Sequence, residues 1–328
     1  MKLFGDAQFN FLLAVNLLVL AAGAALSRGA FLDPYNLQSM ASQMPELGLL
    51  GLGVMLAMVS GNGGIDLSGI ALANLAAMLA VLLTPQLADG DAAPVRFTLV
   101  FVAIALATGM LGGMLNGLLI ARAGLTPILC TLGTQLLFTG IAVVLSNGSA
   151  VRLGYVELMD SLGNDSVLGI PYDFAAFIAI ALLLGAWLRF SPFGIRLFLV
   201  GTNAKAARYA GIAESRMLFV TYTVCGLLAA VAGVLIAMRT TAAKWDYGSS
   251  YVLIAILIAV MAGVRPEGGY GRVSCVVLSV MALQFLSSTF NFLGVSNYFR
   301  DCAWGLLLLL FLASSRFAPA TFLRRRTS

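Results

Sequence analysis

The sequence has 328 residues, of which 60% are hydrophobic and only 10% are charged, and its mean hydropathy is +0.97. A soluble domain carries roughly 25% charged residues, so this composition excludes an ordinary soluble protein and indicates an integral membrane protein. The net charge is +5 and the chain contains no histidine. The missing histidine and the lack of clustered cysteines or carboxylates argue against a transition-metal site, a haem site and a histidine-based hydrolase.

The apolar runs predict about ten transmembrane helices. Each run approaches the roughly 20 residues that a helix needs to cross a bilayer, and the alternation typical of a membrane β-barrel is missing. The predicted spans are 8–26, 44–60, 66–84, 95–121, 126–146, 172–190, 215–238, 249–264, 272–290 and 299–315. We therefore expect an all-α polytopic membrane protein in which residues 1–328 form a single transmembrane domain.

The distribution of Lys and Arg predicts the topology of these spans. If both termini are cytoplasmic, thirteen of the nineteen basic residues lie on the cytoplasmic side, among them Lys2, Arg324, Arg325 and Arg326. This bias agrees with the positive-inside rule. The positive net charge is thus a topology signal and does not indicate nucleic acid binding.

A glycine-rich break, GNGGID, interrupts the apolar sequence at residues 61–66. Non-helical backbone at membrane depth is tolerated only where it contacts protein or water, and it often lines a ligand path. A charged Asp66 at the bilayer centre would cost about 2.5–3.5 kcal/mol. Two interpretations stay open: a solute pathway that includes Asn62 and Asp66, or a tight cytoplasmic turn in which Asp66 caps the next helix.

Other polar residues within the spans extend this candidate pathway for a polar, uncharged solute. They are Ser68, Asn74, Asn116, Thr131, Thr134, Gln135, Gln284 and Asn291. Taken singly, each is more typical of a hydrogen bond between helices. The four cysteines show no CxxC spacing, and we expect them to pack in the apolar core.

A short basic segment at residues 189–216 separates two apolar runs. Thr202 or Asn203 can cap a helix of about two turns over 204–210, and Gly211 can end it in the left-handed conformation. Such a helix is typical of a docking surface, although a solvated loop is the alternative.

The residues around this helix give further expectations. Pro192 and Gly194 are predicted to break the chain before it. Lys205 and Arg208 share a face because they are three residues apart. Three alanines are expected to let another surface approach closely: Ala206, Ala207 and Ala210.

A second glycine-rich break at 261–273, MAGVRPEGGYGRV, echoes the first. Both place a Gly-Gly pair, at 63–64 and 268–269, between two apolar spans, which indicates a weak internal duplication. Neither is a phosphate-binding loop, because GK followed by Ser or Thr does not occur in the chain. The chain therefore carries no P-loop ATPase.

Four stretches resemble the permease subunits of bacterial ABC importers for monosaccharides, the ribose-permease-like family. They are GGIDLS at 63–68, LNGLLIARAGLTPILCTLGT at 115–134, SPFGIRLFLVGTNAKAARYAGI at 191–212 and FNFLGVSNYFRDCAWGLLLLL at 290–310. The resemblance implies a multi-pass protein of the bacterial inner membrane with the permease fold of that family, broken helices and a cytoplasmic coupling helix.

The resemblance also implies partners. These are cytoplasmic ATPase subunits that use ATP and Mg, a second permease that is identical or a sister subunit, and a periplasmic sugar-binding protein. The chain itself is then not an enzyme and holds no cofactor. Transferred onto the matching motif, contact with the ATPase is expected at Gly201, Asn203, Lys205, Ala206, Ala207, Arg208, Gly211 and Ile212.

The chain departs from the family pattern at two places. Arg265, Pro266 and Glu267 stand where relatives carry a run such as GGTSLAGGRG, and Asn62 replaces an apolar residue or Thr. These differences leave the identity of the sugar open. Two other functions also stay open: an ion-coupled transporter or facilitator that uses Asp66, and a structural membrane subunit.

Overall fold

A computed structural model describes residues 7–317 of the chain, without the side chains of 314–317. Within this range it contains thirteen α-helices, one short 3₁₀ turn and four two-residue strands. In chain order they are α1 (Ala7–Leu26), the 3₁₀ turn (Ala30–Leu32), α2 (Pro34–Val59), α3 (Gly69–Leu87), α4 (Pro94–Ala121), α5 (Pro127–Ser146), β1 (Val151–Arg152), α6 (Glu157–Asn164), β2 (Ser166–Val167), β3 (Ile170–Pro171), α7 (Tyr172–Phe190), α8 (Pro192–Thr202), α9 (Ala204–Tyr209), α10 (Glu214–Thr240), β4 (Ala242–Ala243), α11 (Tyr251–Met261), α12 (Val273–Phe292) and α13 (Asn297–Phe317).

Eight helices of the described range are long and apolar enough to cross a membrane: α1, α2, α3, α4, α5, α7, α10 and α12. They confirm an all-α polytopic membrane protein. The cytoplasmic location of both termini stays a prediction, and Lys2, Arg324, Arg325 and Arg326 lie outside the described residues.

Two of the ten predicted spans differ from the structure. Span 249–264 is wrong as a full span, because α11 has only 11 residues and rises about 16 Å, roughly half of the hydrocarbon thickness. Gly248 and Gly263, both with positive φ, bracket this short helix. Span 299–315 corresponds to α13, a 21-residue helix that carries Arg300 and Asp301 in its first turns and is not among the eight.

The long helix α10 occupies the middle of the bundle, where it packs against α4, α2 and α3. Its contact with α4 is a backbone-to-backbone crossing along Gly109, Gly113 and Gly117, which recur every four residues on one face. A Cβ on Gly109 or Gly113 would lie less than 3.0 Å from the backbone of α10, as would one on Gly226 from the backbone of α4. Small residues at this spacing let membrane helices approach closely.

The two ends of α10 define the two ends of the bundle. The helix α9 lies just before the start of α10, whereas β4 follows its end. We call the β4 end the outer end, because the predicted topology places it away from the cytoplasm. There β4 pairs antiparallel with β1, Val151 opposite Ala243, and β2 pairs with β3. Met159 of α6 packs into an apolar cluster shared with α10.

Candidate functional site

The predicted short helix in the basic segment is present as α9. Asn203 is its cap, since the side-chain Oδ1 accepts a hydrogen bond from the Ala206 amide at 3.0 Å. Gly211 follows with a φ of +78°, and Ile212 N–H donates to the Ala207 carbonyl at 3.0 Å. The predicted helix, its cap and its left-handed stop are therefore confirmed.

The predicted break before the short helix is confirmed at Pro192, because α7 ends at Phe190 and a new helix, α8, starts at Pro192. It is wrong for Gly194, which lies inside α8. Pro192 is the first residue of α8, a position where proline's missing N–H costs nothing. Ser191 caps this helix by accepting from the Gly194 amide at 3.2 Å. Gly194 is needed for a different reason: a Cβ there would collide with the backbone of Leu188, because α8 turns back sharply against the end of α7.

The inner face of α9 packs on its own chain. Ala207 is buried in a small cluster with Val200 and Met217, against which Phe193 and Ile212 also pack. The expectation that Ala207 lets another surface approach is wrong, because the start of α10 already covers its methyl group. Gly201 is likewise buried inside the chain. A role of Gly201, Ala207 and Ile212 in coupling to the ATPase stays a prediction. These residues would act through their packing inside the chain and not by direct contact.

The other face of α9 is exposed and accessible to a partner. Lys205, Ala206, Arg208 and Ala210 are exposed, and Tyr209 has 94% of its surface accessible. Arg208 Nε lies 3.2 Å from Glu214 Oε2, which ties the helix to the start of α10. Tyr209 was not predicted as a contact residue. The signal in the sequence was an aromatic residue in a short polar helix that has no apolar periodicity to bury it.

The first glycine-rich break is a real interruption between α2 and α3, with residues 60–68 non-helical. Gly61, Asn62 and Gly63 adopt positive φ angles of 83°, 57° and 67°. Three consecutive left-handed residues reverse the chain abruptly, which glycine does without strain and asparagine tolerates. Asn62 is exposed at this turn and does not face the interior.

Asp66 is buried and belongs to a polar group drawn from the first glycine-rich break, α4 and α5. Its Oδ1 accepts hydrogen bonds from the Ser68 amide at 2.9 Å and from the Ser68 hydroxyl at 2.7 Å. Asn116 Nδ2 of α4 donates to Ser68 Oγ at 2.8 Å, and Thr131 of α5 donates to the Ile65 carbonyl at 3.0 Å. Asp66 therefore forms a turn just before α3, as one interpretation predicted, and this turn lies inside the bundle. Its place in a solute pathway stays a prediction.

A narrow cavity adjoins Asp66 between α2, α3, α10 and α11. Its volume is about 20 Å³, and it is lined by Leu49, Leu50, Gly53, Val54, Asp66, Leu67, Gly69, Ile70, Cys225, Ala229, Tyr251, Val252 and Ala255. A space of this size holds about one water molecule. This cavity therefore has no room for a monosaccharide in the conformation described.

The remaining pathway candidates are not brought together. Asn74 donates to the Trp245 and Tyr247 carbonyls at 3.1 and 2.9 Å, Gln284 donates to Gln43 at 3.3 Å, and Asn291 accepts from Arg300. The Thr134 hydroxyl donates to the Thr131 carbonyl within α5 at 3.2 Å. Gln135 is half-buried on α5 and has no hydrogen bond to any residue that the structure describes. For Asn74, Gln284 and Asn291 the structure shows the contacts between segments that were the alternative interpretation.

Sequence reasoning missed a polar cluster at the outer end, which we call the outer cluster: Glu46, Arg239, Tyr247 and Tyr251. Glu46 lies near the middle of α2, is 2% exposed and pairs with Arg239 of α10. Tyr247 and Tyr251 donate their hydroxyls to Glu46 Oε2 at 2.9 and 3.2 Å. Its members are up to 205 residues apart in sequence, so no local pattern could have revealed it.

The cysteines and potential metal ligands form no site of their own. Cys130, Cys225 and Cys275 are buried and Cys302 is exposed, so the expectation of core packing is confirmed for three of the four. Among residues 7–317 no group of three Cys, Asp or Glu side chains could hold a metal ion.

Comparison with known proteins agrees on one family. The family described as branched-chain amino acid transport system, permease component, matches residues 36–312. The ribose import permease protein RbsC of Bacillus subtilis is 30% identical over 90% of this chain and 89% of its own length. The autoinducer 2 import system permease protein LsrD of Photorhabdus temperata is 29% identical over 92% and 89%. The L-arabinose transport system permease protein AraH of Escherichia coli is 27% identical over 96% of this chain and 92% of its own length.

No solved structure matches the chain. The family match covers most of the sequence, and the similar permeases align along nearly their whole length. The chain therefore belongs to this family of transport-system permeases.

Proposed function

We propose that this chain is the transmembrane permease subunit of an ATP-driven ABC importer that carries a monosaccharide, or a related polyol-like solute, into the cytoplasm. The observation that carries the proposal is α9, an exposed basic helix capped by Asn203 and backed by its own small core. A rigid helix on a packed base can pass on a displacement as a body. Its position in the chain coincides with the stretch that resembles a coupling helix.

The proposal requires several partners. The chain has no phosphate-binding loop, so ATP and Mg would be used by separate cytoplasmic ATPase subunits that receive α9. A second permease, identical or a sister subunit, would complete the membrane part, and a periplasmic sugar-binding protein would deliver the solute. The setting is the bacterial inner membrane, with both termini cytoplasmic.

The proposed mechanism is alternating access driven from the ATPase. ATP binding would close the ATPase dimer and displace α9, and this motion would open the pathway toward the binding protein. Hydrolysis would then return the permease to the inward-facing state. The cavity beside Asp66, with room for about one water, fits a closed stage of such a cycle.

The chemistry of the interior favours a neutral solute over an amino acid, although the family description names branched-chain amino acids. Among the described residues, the one charged side chain on the cavity wall is the Asp66 carboxylate, which accepts hydrogen bonds from Ser68, and no Lys or Arg lines the cavity. Arg239 is already paired with Glu46 within the chain. An amino acid zwitterion needs a free cation for its carboxylate, and the residues that line this cavity offer none. The similar permeases named for ribose and L-arabinose support the same choice. The comparisons offer no support for the alternative of an ion-coupled transporter.

Reconstitution tests the proposal directly. The permease is purified with candidate ATPase and binding-protein partners and placed in proteoliposomes. Uptake of labelled ribose, arabinose or leucine is then measured with and without ATP. We expect ATP-dependent uptake of a sugar that also requires the binding protein. Uptake without nucleotide would support a facilitator, ATP-driven uptake of leucine alone would support an amino acid permease, and a stable complex without uptake would indicate a structural subunit.

A further inference from the structure

Four glycines from three distant parts of the chain meet at the α9 end of the bundle, and we call this contact the glycine junction. Gly61 lies in the first glycine-rich break, Gly201 near the end of α8, and Gly268 and Gly269 in the second break. The two breaks, similar in sequence, thus come together around the segment that carries α9.

The contacts in the junction are between backbones, without side chains as spacers. A Cβ on Gly201 would lie less than 3.0 Å from the Val59 carbonyl oxygen and from the Gly269 nitrogen, and one on Gly61 would lie 2.9 Å from Gly201 Cα. A Cβ on Gly268 would collide with Gly61 and Gly201. The Gly269 amide also donates to the Val59 carbonyl at 3.0 Å, which joins the two breaks directly.

The junction lies between α9 and the helices that line the cavity beside Asp66. On one side, Gly201 is the last residue but one of α8, and α8 shares a core with α9 through Val200 and Ala207. On the other side, the first break connects α2 with α3, and the second follows α11. All three of these helices line the cavity beside Asp66.

We infer that the glycine junction transmits the displacement of α9 to the two glycine-rich breaks, and through them to the helices that close the cavity. Backbone contacts cannot yield by a change of side-chain rotamer, and close-packed groups transmit strain, so movement of Gly201 must move Val59, Gly61 and Gly269 as well. This inference rests on the proposed function and assigns positioning roles to glycines that would not touch the solute or the ATPase.

Gly201→Ala is the cleanest test of this inference. Gly201 lies in a helix and has no positive φ, so alanine is compatible with its backbone and is the better helix former. Its cost is the extra methyl group, which would lie less than 3.0 Å from the backbone of Val59 and of Gly269, so the Tm should fall, as for the Gly226→Ala control below. We expect this variant to bind the ATPase and hydrolyse ATP, while the solute imported per ATP falls about tenfold, within the usual range of coupling between sites.

Two kinds of control separate coupling from packing. Gly133→Ala and Gly140→Ala on α5 add a methyl group where nothing lies within 4 Å, and these variants should behave as wild type. Gly226→Ala places a methyl group against the backbone of Gly109 at the α4–α10 crossing. It should lower the Tm yet leave the ratio of solute to ATP unchanged. A Gly201→Ala variant that assembles and keeps the wild-type ratio overturns the inference.

A measurement on the unaltered junction covers the case in which Gly201→Ala does not fold. Spin labels are placed at Arg196 on α8 and at Glu267 in the second break, both exposed, in a chain whose exposed Cys302 is replaced by Ser. We expect the distance between these labels to stay constant between the nucleotide-free and ATP-bound complexes, while their distances to a label at Leu136 on α5 change. A change in the Arg196–Glu267 distance overturns the inference. If the wild-type complex shows no ATP-driven uptake, the proposed function fails and the inference falls with it.

Discussion

The buried carboxylate of Glu46 on α2 forms an ion pair with the partly exposed guanidinium of Arg239 on α10. The tyrosine hydroxyls of Tyr247 and Tyr251 complete the hydrogen bonding of the carboxylate. Charges inside a membrane protein are costly unless paired. The pair therefore holds α2, α10 and the chain that leads into α11 in one arrangement at the outer end.

Removing one member of this pair should destabilise the protein strongly. Arg239→Met leaves Glu46 without its counter-ion and is expected to cost about 3 kcal/mol, as for other buried pairs. The thermal unfolding midpoint in detergent measures the loss. The double variant Glu46→Gln, Arg239→Met should recover part of it, because no uncompensated charge then remains. Additive losses in the double variant would show that the two residues do not interact.

Loss of the Asn203 cap should weaken α9 specifically. Asn203→Ala removes the acceptor of the Ala206 amide and is expected to cost about 1 kcal/mol of helix stability. The affinity of the ATPase for the purified permease should fall, while the Tm of the bundle stays near wild type because α9 has only six residues. Asn203→Asp retains the acceptor and should retain the affinity. Equal binding by the Ala and Asp variants would contradict a role for the cap.

Tyr209 should be an anchor for the ATPase. Its side chain is 94% exposed, so Tyr209→Ala should leave the Tm unchanged. The affinity for the ATPase should fall more than about tenfold, because an aromatic side chain that a partner buries contributes more than about 1.4 kcal/mol to binding. The matched control is Tyr155→Ala, which removes a 70% exposed tyrosine from the loop between β1 and α6 at the other end of the bundle. Similar ATPase affinities of the two variants would place the docking surface elsewhere.

The role of Asp66 separates the importer from an ion-coupled transporter. Asp66→Asn keeps an oxygen that can accept from the Ser68 amide and hydroxyl, so its stability should stay within about 1 kcal/mol of wild type. We expect ATP-driven uptake to persist, because the energy would come from ATP. Asp66→Leu removes the acceptor and should lower the Tm. Complete loss of uptake in a stably folded Asp66→Asn protein would favour ion coupling through this carboxylate.

Local features of the chain were predictable from sequence. The cap at Asn203, the short helix after it and the left-handed Gly211 depend on hydrogen bonds between residues at most a few positions apart. Most of the long apolar helices were predictable as well, because a bilayer requires about 20 apolar residues whatever the helix packs against. The break at 61–66 was visible because glycines and an aspartate interrupt an otherwise apolar sequence.

The sequence by itself thus determined that this is a polytopic membrane protein, where its long helices run and that a capped basic helix separates two of them. Only the tertiary structure decided which face of α9 is open, that α11 is half a span, that Glu46 meets Arg239 and that the two glycine-rich breaks converge on Gly201. These relationships depend on contacts between residues that are far apart in the chain. Periodicity and local propensity describe a helix and its ends, but they do not specify which neighbour its surface contacts.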